Sequence, residues 1–245
     1  SRRLRRVTQR FGTVRELDVL LVLIDELHLS WPHHGDALAR VAVVVAKDRD
    51  EARERLARQL PIGELRRLIG KLGRIAADLA KHEESGVKKA EGRGWLWAID
   101  ARIVRRASQV RLTMHDAGSV YVPERLHAVR IAVKKLRYAC ELPAEIMAAR
   151  TTAELRVLKR SQEVLGRMHD LQVLIDRVRQ VQATLTPPNI AVWRGLDRLV
   201  SALDDDCRRL HARYMRSRPP LEAIVDRLSA RNQSPARAQS GRAAG

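Results

Sequence analysis

The stretch that decides the fold is Arg125-Leu-His-Ala-Val-Arg-Ile-Ala-Val-Lys-Lys-Leu-Arg-Tyr138. At 3.6 residues per turn, one stripe of this predicted helix carries His127, Arg130, Lys134, Arg137 and Tyr138. The opposite arc is apolar and can pack into a core. Because like charges one turn apart repel each other, the row of cations indicates a negatively charged ligand lying along it.

The composition indicates the same class of ligand. The 245 residues include 47 Lys and Arg against 29 Asp and Glu, a net charge of +18. That balance predicts a polyanionic partner: nucleic acid, an anionic membrane surface or a phosphate polymer. Aromatic residues make up only 3% of the chain, which disfavours recognition of stacked bases. Two cysteines are too few for a disulfide framework or a zinc site, and no apolar run approaches the roughly 20 residues of a membrane helix.

The apolar periodicity is helical along the chain, so we predict an all-α fold. Residues 84–94 are polar and contain glycine, and they are the predicted boundary between two halves. Residues 231–245 have no apolar period and are predicted to be disordered. The predicted helices are Arg2–Phe11 and Arg15–Leu29 (one helix or two), Gly35–Leu60, Ile62–His82, Trp95–Asp116, Pro123–Ala148, Thr152–Leu185, Asn189–Arg216 and Leu221–Ala230.

An internal repeat relates residues 2–20 to residues 156–174, at an offset of 154 that superposes Gly12 on Gly166. A period this long indicates a duplicated bundle rather than a solenoid. At the same offset, the first-half counterpart of His127 would precede Ser1. We therefore expect the first bundle to lack its opening helix, and the helix facing that gap to expose an apolar stripe or to find another partner.

Three segments resemble the CHAD domain, a histidine-containing α-helical family often fused to CYTH-type triphosphatases. The segment His127-x-x-Arg130-x-x-x-Lys134-Lys135-Leu-Arg137-Tyr138 and the later Leu158-Lys-Arg and Leu165-Gly-x-x-His169-Asp170-Leu-x-Val-Leu174 resemble its second half. Phe11-Gly-x-x-Arg15-Glu16-Leu-x-Val-Leu20 resembles the matching segment of its first half. The departures are the missing first-half His/Arg helix and Arg15, which stands where the second half has His169.

The resemblance implies two pseudo-symmetric antiparallel helical bundles that face each other across a basic cleft binding inorganic polyphosphate. On this basis residues 1–230 form one CHAD-like domain, with a first bundle over about 1–90 and a second over about 95–230. Arginine can hold two phosphate oxygens at once, and lysine supplies a compact charge. The predicted polyphosphate-binding residues are His127, Arg130, Lys134, Lys135, Arg137, Tyr138, Lys159, Arg160 and His169, with Arg5, Arg6 and Arg15 from the first half.

Two residue types in this set carry specific expectations. The histidines should be protonated when polyphosphate binds, so affinity should rise as the pH falls from about 7.5 to about 6. Gly166 lies inside a helix, where glycine costs about 1 kcal/mol relative to alanine. Two interpretations remain open for Gly166: close packing of helices, or room for a ligand or a facing side chain to approach.

We expect no catalytic residue, no metal site and no cofactor, because the acidic residues form no acid/base pair and cannot converge on one ion. The expected partner is inorganic polyphosphate, with no membrane partner, and the expected location is the cytoplasm, in association with polyphosphate granules. Two alternatives stay open: a helical protein that binds nucleic acid through its phosphate backbone, and an accessory domain of a phosphatase or triphosphatase.

Overall fold

A computed structural model describes residues 2–59, 62–84, 91–146, 153–185 and 189–230. This part of the chain holds seven α-helices and no strand, so the predicted all-α class is confirmed. A short 3₁₀ helix, Pro32–His34, joins the first two. The α-helices are α1 Arg2–Ser30, α2 Gly35–Gln59, α3 Ile62–Glu84, α4 Glu91–Ala117, α5 Pro123–Ile146, α6 Ala153–Ala183 and α7 Ile190–Ala230. The predicted disordered tail, 231–245, lies outside the described residues.

Helix α7 differs from the prediction, which ended one helix at Arg216 and began another at Leu221. The structure has one helix that runs through Pro219 and Pro220. Each proline removes a backbone donor and costs about 3 kcal/mol inside a helix. The turns that follow the prolines bury four apolar side chains, and each such burial contributes about 1.5–3 kcal/mol. Packing therefore keeps α7 continuous; the four side chains are Leu221, Ile224, Val225 and Leu228.

The helices pack into two compact units. Unit 1 comprises Ser1–Lys88 and Asp170–Asp204, and unit 2 comprises Lys89–His169 and Asp205–Gly245. Helices α6 and α7 each contribute residues to both units. The units are therefore not successive stretches of the chain, unlike the predicted bundles of about 1–90 and 95–230, which stay a prediction.

In unit 1, the sequence repeat is visible in the pattern of buried residues. Four apolar residues of α1 are buried, and their repeat partners 154 positions later on α6 are buried as well. Both helices thus use the same stripe to pack, which supports a duplication of the helix rather than a chance match of letters. The matched pairs are Leu17 and Leu171, Leu20 and Leu174, Ile24 and Val178, and Leu27 and Val181.

Helix α3, also in unit 1, exposes an apolar stripe. Ile62, Ile69, Leu72 and Ile75 recur at helical spacing, and each is exposed. None of the described helices is both long enough and apolar enough to cross a membrane.

The core of unit 2 is built from α4, α5, the first half of α6 and the second half of α7. Each helix contributes one apolar stripe, as expected for amphipathic helices around a shared core. Helix α5 buries its stripe completely at three positions, Val129, Val133 and Leu136. The opposite face of α5, which carries the cations, is thereby turned away from this core.

Candidate polyanion-binding site

The turn that precedes α5 fixes where its cationic face begins. Gly118 ends α4 with φ of 64°, a left-handed conformation that favours glycine. Its carbonyl accepts a 2.6 Å hydrogen bond from Arg218 Nη1 of α7. Pro123 then opens α5, at a position where a helix does not need the missing N–H. Arg125 Nη1 donates to the Asp116 carbonyl at 3.1 Å, which closes the turn from the α5 side.

The cationic face of α5 meets α6 along a row of side-chain contacts that we call the α5–α6 seam. As α5 advances from His127 through Arg130 to Arg137, the contacted residues of α6 recede from His169 through Gly166 to Gln162. The two helices therefore run antiparallel along the seam. All of these residues belong to unit 2.

At one end of the seam, two histidines are in direct contact. The Nδ1 atoms of His127 and His169 are 3.1 Å apart, and the ring centroids are 4.3 Å apart. One Nδ1 must donate while the other accepts, so the contact holds a single hydrogen between the rings. Protonation of both rings would place two N–H groups against each other and break this hydrogen bond.

Both histidines have depressed pKa values. Burial lowers the pKa of His127 below its usual 6.5, and the nearby charge of Arg130 lowers it further. Burial lowers the pKa of His169 to about 4, with added contributions from Arg130 and His127. In the free protein at neutral pH the pair is therefore uncharged, because desolvation and a neighbouring cation both disfavour imidazolium.

At the other end, the cations of the seam already have a carboxylate. Arg137 Nη1 lies 2.7 Å from Glu141 Oε1, and the two side chains are only 16% and 20% exposed. Arg137 Nε donates to Gln162 Oε1 at 2.8 Å, and Lys159 Nζ lies 3.8 Å from the same carboxylate oxygen of Glu141. One negative charge thus lies between two positive charges, which leaves this end with a net charge of about +1.

The middle of the seam carries cations without carboxylates. Lys134 is exposed and Arg130 is half-buried; within the described part of the chain neither forms an ion pair. Tyr138 is 51% exposed, and its ring lies 4.5 Å from Arg137 Cζ and 5.9 Å from Lys134 Nζ. Its face thus contacts cations while its hydroxyl remains near solvent.

The surroundings of Gly166 require neither of its two interpretations. A Cβ built on Gly166 would lie 3.9 Å from Arg130 Nε, an ordinary contact distance, and no other atom is within 4 Å. A methyl group would therefore fit beside the guanidinium of Arg130. At Gly12, its repeat partner, no atom lies within 4 Å of the same position.

Comparison with known families decides the family of the chain. A model of the CHAD domain matches residues 1–179. The chain belongs to the CHAD domain family. Comparisons with curated proteins and with solved structures gave no match. The CHAD match includes all three motif segments and the whole seam, and it ends within α6, so α7 lies beyond it.

The structure brings together most of the second-half CHAD residues predicted from the sequence. His127, Arg130, Arg137, Lys159 and His169 all take part in contacts of the seam, and Lys134 and Tyr138 lie beside them on the same stripe of α5. Lys135 is exposed on α5, about 100° around the helix from Lys134. Their binding roles stay predictions.

Arg160 does not lie with these CHAD residues. It follows Lys159 by one position, which rotates its side chain by about 100° around the helix. It lines a separate cavity with Arg213 and Arg216 of α7. The first-half residues belong to unit 1, where Arg15 is exposed on α1, and the side chains of Arg5 and Arg6 lie outside the described residues.

Sequence reasoning did not assign site roles to Glu141 and Gln162. Glu141 stands four residues after Arg137, the spacing of a helical ion pair, so that signal was present in the sequence. Gln162 contacts Arg137 across two helices, and no local pattern indicates that partner. In the part of the chain that the structure describes, no three His, Cys, Asp or Glu side chains are placed to hold a metal ion.

Proposed function

We propose that this CHAD protein binds inorganic polyphosphate along the α5–α6 seam and catalyses no reaction on it. The observation that carries the proposal is the imbalance of charge within the seam. Its one described carboxylate, Glu141, is occupied by Arg137 and Lys159, while Arg130 and Lys134 have no carboxylate partner within the described residues. A chain of phosphates would supply the missing negative charge at successive turns of α5.

The paired histidines give the proposal a pH dependence. A phosphate near His127 and His169 favours the charged imidazolium, which burial and Arg130 disfavour in the free protein. Binding therefore takes up a proton, and affinity increases as the pH falls from about 7.5 to about 6. The Nδ1 contact accommodates one hydrogen, so only one of the two rings can be protonated without breaking it. Polyphosphate stabilises this first imidazolium.

The lack of catalysis is proposed on the chemistry of the same residues. The Glu141 carboxylate is already engaged by two cations, since it accepts from Arg137 at 2.7 Å and lies 3.8 Å from Lys159. No second carboxylate faces it among the described contacts of the seam, so no pair of carboxylates is placed there to act as acid and base. Release of phosphate from polyphosphate on addition of magnesium or manganese would contradict this part of the proposal.

The experiment is a titration with polyphosphates of graded length at one fixed salt concentration. We expect Arg130→Gln/Lys134→Gln to reduce affinity for long chains by about 10- to 100-fold, since each charge-assisted contact contributes about 1.5 kcal/mol or more. The matched control is Arg208→Gln/Arg209→Gln on α7, which removes the same charge from arginines already paired with Asp205 and Asp206. Equal losses in both double variants would show that overall charge, rather than the seam, determines binding.

Competition separates polyphosphate from nucleic acid. Duplex and single-stranded nucleic acid are added at equal phosphate concentration to the polyphosphate complex, at the same salt, because both kinds of binding weaken steeply with salt. We expect polyphosphate to remain bound, since the exposed aromatic side chain of the seam, Tyr138, already contacts two cations. Displacement by nucleic acid at equal phosphate concentration would favour the nucleic-acid alternative.

A further inference from the structure

The face of α6 that is turned away from the seam borders a cavity of about 370 Å³ against α7. Three arginines and two serines line it: Arg160 and Ser161 from α6, and Arg213, Arg216 and Ser217 from α7. All belong to unit 2. On α7 the lining residues are three and four positions apart, so they share one face of the helix.

The arginines of this cavity lack negative partners. No Asp or Glu lines the cavity, and within the described residues none of Arg160, Arg213 and Arg216 forms an ion pair or a hydrogen bond. Neighbouring arginines of α7 are paired: Arg209 Nη2 lies 3.2 Å from Asp206 and Arg218 Nε 2.7 Å from Glu222. Three like charges around one concave surface repel each other unless an anion occupies it.

The two serine hydroxyls narrow the class of anion. Ser161 lines the cavity from α6 and is only 1% exposed. A serine hydroxyl can donate a hydrogen bond to an anion oxygen in the cavity. Ser217 Oγ donates to the Tyr214 carbonyl at 2.8 Å, so its oxygen can still accept from a protonated ligand.

The size and lining of the cavity favour a small phosphorylated ligand. Guanidinium groups hold two phosphate oxygens at once, and three of them match a group with several charges. The other two lining residues, Val157 and Pro220, are aliphatic, so no aromatic side chain is present to stack a base. A pyrophosphate-like group carries enough negative charge to pair with the three arginines and is small enough to fit within the cavity.

We propose that this cavity is a second anion site, which binds a compact di- or triphosphate group independently of the seam. Arg213 and Arg216 lie beyond residue 179, outside the CHAD match. Arg160, which the sequence analysis assigned to the polyphosphate track, belongs to this site instead. The phosphate group can be a free small anion or the end of a longer phosphate chain.

The test is calorimetric titration of the full chain with pyrophosphate, tripolyphosphate and long-chain polyphosphate. For the wild-type protein we expect saturable binding of pyrophosphate. We expect Arg213→Gln/Arg216→Gln to weaken it by about 10-fold or more, and Arg160→Gln, from the opposite wall, to weaken it by about 5-fold. The control variant Arg208→Gln/Arg209→Gln and the seam variant Arg130→Gln/Lys134→Gln should each retain wild-type affinity for pyrophosphate.

Each outcome decides the proposal. Absence of saturable pyrophosphate binding, or equal binding by wild type and both cavity variants, would overturn it. An equal loss in the seam variant would also overturn it, because the cavity would then not be an independent site. If the cavity variants weaken long-chain polyphosphate as well as pyrophosphate, the ligand is the end of a phosphate chain; if they weaken pyrophosphate alone, it is a free anion. Failure of long-chain binding at the seam would leave the pyrophosphate result intact and would refute only the proposed function.

Discussion

Replacement of Glu141 by glutamine should have opposite effects on stability and on polyanion binding. Glu141 is the one carboxylate in the described contacts of the seam, where it accepts from Arg137 at 2.7 Å and lies 3.8 Å from Lys159. The substitution keeps the size of the side chain and removes its charge. Arg137 then loses its charged partner but keeps its contacts with Gln162 and Tyr138, and the seam gains one net positive charge.

The expected magnitudes follow from the geometry of this cluster. Because the two paired side chains are only 16% and 20% exposed, removal of one partner should lower the free energy of unfolding by about 1–3 kcal/mol. The lost negative charge also stops repelling a bound phosphate. At a separation of about 8 Å and an effective dielectric constant of about 40, that repulsion amounts to about 1 kcal/mol, or about a fivefold gain in affinity.

Two assays on the same pair of variants measure both effects. Urea denaturation gives the free energy of unfolding, and titration with long-chain polyphosphate at fixed salt gives the affinity. The matched control is Glu54→Gln, because Glu54 also pairs with an arginine four residues away at 2.7 Å, but with both side chains more than 60% exposed. We expect the control to change stability by less than about 0.5 kcal/mol and to leave the affinity unchanged.

Unchanged or lower polyphosphate affinity in a folded Glu141→Gln variant would contradict this prediction. Arg137 and Lys159 would then not contribute to the field that the ligand experiences. An equal gain in Glu54→Gln would also refute it, because the effect would then come from total charge and not from the seam.

Three further predictions concern His169, the helical glycine Gly166 and the turn glycine Gly118. The pKa of His169 is about 4 in the folded protein and 6.5 in the unfolded chain. Because the unfolded chain binds more protons between these two pH values, the free energy of unfolding should fall as the pH drops from about 6.5 to 4. With solvent screening taken into account, we expect a loss of about 1–2 kcal/mol. Denaturation at pH 7.5 and 4.5 measures it, and His169→Gln should reduce the dependence. Gly166→Ala should raise the free energy of unfolding by about 0.5–1 kcal/mol, and the control Gly12→Ala should raise it by a similar amount. If Gly166→Ala alone lowered the free energy of unfolding, Arg130 would not tolerate a methyl group beside it. Gly118→Ala should lower thermal stability, by about 1 kcal/mol or more, because φ there is 64°.

The sequence was sufficient to predict what depends on helical periodicity alone. The apolar and cationic arcs of α5 follow directly from residue spacing, and the structure buries Val129, Val133 and Leu136 while it leaves Lys134 exposed. Likewise, α6 presents Gln162, Gly166 and His169 on one arc, and all three contact α5. Such features need no knowledge of tertiary structure.

Features that depend on contacts between distant segments could not be predicted in this way. The two prolines of α7 are typical of a helix end, and only burial of the turn that follows them keeps the helix continuous. Asp170–Asp204 belongs to unit 1 although its neighbours on both sides belong to unit 2. Periodicity identifies which face of a helix is apolar, but it does not identify which other helix covers that face.

Lys159 and Arg160 belong to one sequence motif, but their side chains lie at two different places in the structure. In the sequence they form one dibasic pair, and both were assigned to one phosphate track. On the helix they are about 100° apart, so Lys159 reaches Glu141 on α5 while Arg160 lines the cavity against α7. Consecutive cations on a buried helix with partners on both sides therefore cannot bind the same phosphate group. Lys159→Gln should weaken long-chain polyphosphate and spare pyrophosphate, and Arg160→Gln should weaken pyrophosphate. If both substitutions affected the two ligands equally, the cavity and the seam would have to be treated as one continuous site.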